Sequence, residues 1–198
     1  RTSEAIGLYV LEGSKPGAAA AAVWLSHTLI PLDNSGHGLL IQESVRNACE
    51  LHALVEGFPL WAPQQTLRAE CLCPPASNIV CFAFTPARGG SSLRHINRVN
   101  RRVYARFTME PGERVYDRSF FVSRTTLLPS QYAAETVSGF LDRLGVTRAE
   151  YETEGVFLLR SVLMNPWYGQ AKARGRYFLS ELVADLYRVA TEEDAKAL

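Results

Sequence analysis

The hydrophobic pattern of the chain changes period at residues 58–65, and that change limits the folds open to it. Before it, Leu40, Ile41, Val45, Ala48, Leu51 and Leu54 or Val55 recur at helical spacing, predicting a helix from about His37 to Glu56 closed by Gly57. Pro59 and Pro63 then interrupt the chain. After them, β-rich runs alternate with helical ones: Thr66–Leu72, Asn78–Phe84, Arg118–Leu128 and Gly155–Met164 read as strands. Leu93–Thr108, Ser130–Leu144 and a last segment from Pro166 and Trp167 to about Val189 read as helices. The tail from Thr191 is charged and expected to fray. The order strand, strand, helix, strand, helix, strand, helix predicts an α+β layer with helices over one face of a small sheet.

At 198 residues the chain can bury a full core. A formal net charge of +1 gives no argument for a nucleic acid or a membrane surface. No apolar run reaches membrane-spanning length, and the N-terminus lacks a charged-then-apolar leader pattern. The chain opens on Arg1 and reads as a piece of something longer. Cys49, Cys71, Cys73 and Cys81 include no second cysteine pair or close histidine at metal-ligand spacing, so buried, reduced thiols in a cytoplasmic protein are expected and no metal site is.

Three features can carry chemistry. In Leu11–Leu25, Gly13, Ser14 and Lys15 lead through Pro16 into an alanine-rich helix ending near Leu29, with Val23, Trp24, Leu25 and Leu29 available to pack. Ser14 can cap that helix, and its start can seat an anion such as a phosphate or be a capped start with no ligand. Arg160 sits inside VFLLRSVLM, where a guanidinium needs an anion: a ligand carboxylate, or Glu70, Glu135 or Glu154 in an internal pair. Arg94, Arg98, Arg101, Arg102 and Arg106 make one helix basic, with Tyr104 and Phe107 nearby, which admits an RNA-binding reading; Glu110, Glu113 and Asp117 are the acids placed to neutralise them. His27, His37, His52 and His95 are scattered, and no nucleophile–histidine–acid order is legible.

Glu12 to Ala18 (EGSKPGA), the alanine-rich helix, Trp24, His27 and the Pro31-Leu32 exit resemble the segment downstream of the cofactor lysine in group II pyridoxal-phosphate-dependent amino acid decarboxylases, nearest the bacterial tyrosine type. The strand at Asn78–Phe82, the Asn97-x-x-Asn100 helix and Val156–Met164 resemble the same family's C-terminal small domain, and 130–154 is long in the manner of the bacterial subgroup. The resemblance implies a fold type I architecture: residues 1–62 would end the cofactor-binding large domain, and 63–198 would form the small α+β domain. It implies that Gly13 and Ser14 contact the cofactor phosphate across a homodimer, and that Arg160 binds the substrate α-carboxylate, with Ser161 and Asn165 as further contacts. It implies pyridoxal 5'-phosphate as cofactor and an L-amino acid as substrate, tyrosine or another aromatic, with glutamate as the alternative. The partner would be a second subunit or the N-terminal remainder of the enzyme. Lys15, Lys172 and Lys196 are the lysines present, and none follows the family's His-Lys cofactor motif, so the chain alone should be inactive. A non-catalytic α+β interaction or RNA-binding module is the reading from another class.

Overall fold

A computed structural model describes residues 16–62, 64–109, 112–114 and 119–196. The chain forms two compact units, 1–42 and 43–198.

In the first unit, α1 (Gly17–Leu29) starts one residue later than expected, with Pro16 in the N-cap position. None of its side chains is buried, and Trp24 is 69% and Leu29 72% exposed. The loop that follows is held by Asp33, whose Oδ1 accepts from the Ser35 N–H and hydroxyl, both at 2.7 Å. These bonds hold its carboxyl below the ordinary range. Gly36 lies so near Pro31 that a Cβ there would fall 2.2 Å from the Pro31 carbonyl oxygen. The preceding Gly13 and Ser14 lie outside the described residues.

The second unit is built on a four-stranded antiparallel sheet of order β1-β2-β4-β3, with β1 (Leu67–Cys71), β2 (Ile79–Pro86), β3 (Ser123–Leu127) and β4 (Val156–Val162). Alternation along each strand divides its side chains between two cores. Phe82, Phe84, Phe157 and Leu159 share one core with Ala48, Leu51 and Val55 of α2 (His37–Trp61) and with Leu179 to Ala190 of α7 (Phe178–Ala195). Ala83, Leu127, Val156 and Leu158 share the other with Val137, Phe140 and Leu141 of α4 (Ala134–Leu144) and Tyr151 of α5 (Arg148–Glu154). Helices therefore cover both faces, not one, because β2 and β4 bury apolar side chains in both directions.

α3 (Leu93–Phe107) joins the two cores, with Leu93 and Ile96 in one and Val99, Val103 and Phe107 in the other. Pairing of β2 with β4 ends at Phe82↔Leu159. Beyond that point two buried amides from α3 take up the backbone groups. Asn100 Oδ1 accepts from Phe84 N at 2.9 Å, and its Nδ2 donates to Phe84 O at 2.9 Å. Asn97 Oδ1 accepts from Phe157 N at 2.8 Å, and its Nδ2 donates to Gly155 O at 2.9 Å. The two strands can part because α3 supplies the missing ladder bonds.

Four boundaries differ from expectation. α2 continues past Gly57 and through Pro59 to Trp61. Pro59 offers no N–H to the Val55 carbonyl, and the Tyr187 hydroxyl donates to that oxygen instead, at 2.8 Å. α5 was not expected; it is closed by a capping box between Thr147 and Glu150. The last helix is two: α6 (Tyr168–Ala173) ends at Gly175, which adopts φ 86°, with Arg176 N bonding Ala171 O at 3.0 Å, and α7 starts afresh at Phe178. α7 stays helical through the charged tail, because Glu193 is buried and Thr191 donates to Gln65 Oε1 at 3.1 Å. Of the four thiols only Cys71 is fully buried; Cys49 and Cys73 are exposed.

Candidate functional site

Arg160 stands where β4 leaves the core. Its register partners are Cys81 on β2 and Ser123 on β3, and the next row is Ile79 opposite Val162. α4 and α5 cover the Leu158 end of this face, whereas Ile79 is 39% and Val162 40% exposed. The arginine is thus half-buried at the edge of an uncovered apolar patch. That position relieves the desolvation cost a guanidinium would meet deeper in the strand.

Ser123 fixes the side chain. Its hydroxyl accepts from Arg160 Nε at 2.9 Å and donates to the Arg160 carbonyl at 2.7 Å. The internal partners considered for Arg160 are committed elsewhere: Glu70 to Arg68 and Arg143, Glu135 to Arg148, and Glu154 to Arg94. Among the described residues no carboxylate pairs with Arg160, and its terminal nitrogens have no hydrogen-bond partner. Opposite it, burial pushes the Cys81 thiol up against the opposing pull of Arg160, so the facing group is neutral. The result is an oriented cation with its fork free, which is what bidentate recognition of a carboxylate requires.

Ser161 lies on the opposite face of β4, 5% exposed, with its hydroxyl unpartnered among the described residues. The fold thus brings Arg160 together with Ser123 rather than with Ser161. Asn165 caps its own turn, its side chain accepting from Trp167 N at 2.9 Å, while its carbonyl accepts from Asn47 Nδ2. Sequence reasoning missed Ser123, because nothing local marks a serine as a register partner 37 residues away.

The basic helix is engaged within the chain. Arg94 pairs with Glu154 at 2.8 Å, Arg106 with Glu193 at 3.4 Å, and Arg101 lies over the Phe157 ring at 5.1 Å. The acids in these pairs, Glu154 and Glu193, come from α5 and α7; Glu110 and Asp117 lie outside the described residues. A cleft of about 990 Å³ beside α3, lined among others by Arg88, His95, Arg98 and Asp194, is not lined by Arg160 or Ser161. There His95 Nε2 meets Asp194 at 2.7 Å and its Nδ1 meets Arg98 at 3.0 Å, so both ring nitrogens are occupied.

Residues 47–184 match the family model for the C-terminal part of tyrosine decarboxylase. The chain belongs to the tyrosine decarboxylase C-terminal family. Its relatives include an L-tyrosine decarboxylase of Enterococcus faecium, 32% identical over 168 residues, which is 84% of this chain and 27% of that protein. Others are L-tyrosine decarboxylases of Enterococcus faecalis, 29% identical over 82% of this chain and 26% of the relative, and of Levilactobacillus brevis, 28% identical over 83% and 26%. The chain therefore spans about a quarter of the length of the tyrosine decarboxylases it matches. The mixed fold, a small antiparallel sheet between helices, is the C-terminal domain of that family.

Both lysines among the described residues are ion-paired. Lys172 Nζ lies 2.5 Å from Glu50 Oε1, with Tyr177 bonding the same oxygen, and Lys196 lies 2.8 Å from Glu193. Hydrogen bonding to Glu50 raises the Lys172 pKa, the opposite of what a nucleophilic amine needs. Among the described residues no helix is long and apolar enough to cross a membrane.

Proposed function

We propose that this chain is the C-terminal portion of a pyridoxal-phosphate-dependent carboxy-lyase that releases CO2 from an L-amino acid, tyrosine first among the candidates. The observation that carries this reading is the Ser123-braced guanidinium of Arg160 at the open end of the sheet face, which no carboxylate among the described residues pairs with. Arg160 would grip the substrate's α-carboxylate and thereby orient the bond to be broken, an effect worth a large part of a decarboxylation barrier. The apolar row Ile79–Val162 would keep water from that carboxylate, and loss of its charge as CO2 would release the grip on the product amine. When bound, the cofactor would supply the electron sink, and the lysine holding it would come from outside this chain. Gly13 and Ser14 would reach the cofactor phosphate of a neighbouring subunit, residues 1–62 belonging to the large domain and 63–198 to the small one. The names and lengths of the relatives support a longer parent, and the exposed apolar side chains of α1 support a second subunit or the N-terminal remainder as partner. Four free cysteines suit a reducing, cytoplasmic setting.

The test is a pair of assays with pyridoxal phosphate and L-tyrosine. This chain alone should develop no lysine-adduct absorbance and no CO2, while the longer protein containing it should show both. A stable adduct with turnover on this chain alone would overturn the proposal, as would a longer protein that leaves tyrosine and glutamate untouched.

A further inference from the structure

His52, Glu56 and Cys71 come together in the second unit, on the far side of β1 from Arg68 and Glu70. Their ligand atoms (an imidazole nitrogen, a carboxylate oxygen and a thiol sulfur) all lie within 4.8 Å of one another. His52 and Glu56 sit one turn apart on α2, with Nε2 3.7 Å from Oε1. Cys71 ends β1, where its backbone N–H donates to Glu56 Oε1 at 3.3 Å. We propose that these three side chains bind a divalent metal ion of the zinc type and so clip α2 to β1.

The donor set argues for the ion. A thiolate, an imidazole and a carboxylate suit zinc rather than calcium or magnesium, which take oxygen ligands. A tetrahedral zinc with bonds of ~2.0–2.3 Å places its ligand atoms about 3.3–3.8 Å apart. The His52–Glu56 separation already meets this, and the sulfur needs a rotamer-scale adjustment. Charge points the same way. Glu70, the neighbouring acid, is met by Arg68 and Arg143, but no Lys or Arg among the described residues pairs with Glu56. A dication would balance that carboxylate and the thiolate, the thiol proton passing to solvent as the metal binds. The nearby Tyr187 hydroxyl is committed to Val55 O and Ala69 N and does not compete. The Glu56 side chain is 41% exposed, so water can enter and take the fourth position.

The test is a Co2+ titration of the full chain in a non-coordinating reductant, followed by Zn2+. One equivalent of Co2+ should give a near-ultraviolet thiolate-to-cobalt charge-transfer band that Zn2+ abolishes, and Zn2+ should raise Tm. Cys71→Ser should lose the band and Cys73→Ser should keep it. His52→Gln, at a partly buried position outside the hydrophobic core, should weaken binding at least about a hundredfold, since even loss of an outer-shell partner costs ~10–100-fold. Absence of the band in the wild-type chain, its survival in Cys71→Ser, its loss in Cys73→Ser, or unchanged affinity in His52→Gln would each overturn the site.

Discussion

Tyr187 shows how one side chain can decide a boundary that local pattern misplaces. Pro59 would normally stop α2, yet the hydroxyl of Tyr187, fully buried and 132 residues from Val55, takes the carbonyl that Pro59 cannot serve. The same oxygen accepts from Ala69 N at 3.0 Å. Tyr187→Phe should therefore leave two buried backbone groups unpaired and cost about 2–4 kcal/mol, read as a lower urea midpoint at unchanged m-value. Glu150 is the second residue of this kind. Its carboxylate accepts from Thr147 N at 2.8 Å and from Leu93 N at 3.0 Å, linking the starts of α5 and α3, and these bonds lower its pKa. Because the folded value lies below the unfolded one, its contribution is complete above the ordinary carboxylate value near 4.5 and fades as pH falls through the folded value. Glu150→Gln should cost about 1–2 kcal/mol at neutral pH and flatten the acid limb of the stability profile; a variant as acid-sensitive as the wild type would contradict this.

At the scale of elements, the strands and α3 were readable because their periods are clean and their runs long. The apolar run around Arg160 announced β4, and α3 opens on Ser92, whose hydroxyl accepts from His95 N. α5 was not readable by period, since seven residues make barely two turns, although Thr147-x-x-Glu150 carried its capping signal. The split between α6 and α7 lay in Gly175, whose left-handed backbone a helical pattern alone does not reveal. The Asn97 and Asn100 pair was visible as a family likeness, but its task, replacing ladder bonds where β2 and β4 part, needs the register. Asn100→Leu should cost about 2–4 kcal/mol, and hydrogen exchange should quicken first at Phe84. Gly155 adopts φ 65°, and a Cβ there would fall 2.6 Å from the Leu127 carbonyl oxygen. Gly155→Ala should therefore destabilise the β3–β4 end of the sheet by at least ~1–3 kcal/mol in the same denaturation assay.

For the whole molecule, composition set only broad limits, and the family was legible through motifs spread from Glu12 to Met164. The candidate site was half legible. Arg160 stood out as a charge in an apolar run, while Ser123 as its partner and the commitment of Glu70, Glu135 and Glu154 to other arginines emerge only in the folded chain. The metal-type cluster was hidden for a related reason: Cys71 and His52 are separated by the Pro59–Pro63 break, so local spacing could not join them. The exposed apolar face of α1 belongs to this scale too. Trp24→Asp should leave the stability of this chain within about 0.5 kcal/mol, since nothing is buried there, yet lower the assembled fraction of the longer protein in sedimentation. The central claim is that Arg160 holds a substrate carboxylate, and its most direct measurement compares L-tyrosine with its decarboxylated amine on Arg160→Ala in the longer protein. Losing a charge-assisted, two-pronged contact should raise KM for tyrosine roughly tenfold to a hundredfold while the amine's inhibition constant stays put. An unchanged KM and kcat, or an equal loss for the amine, would contradict the account.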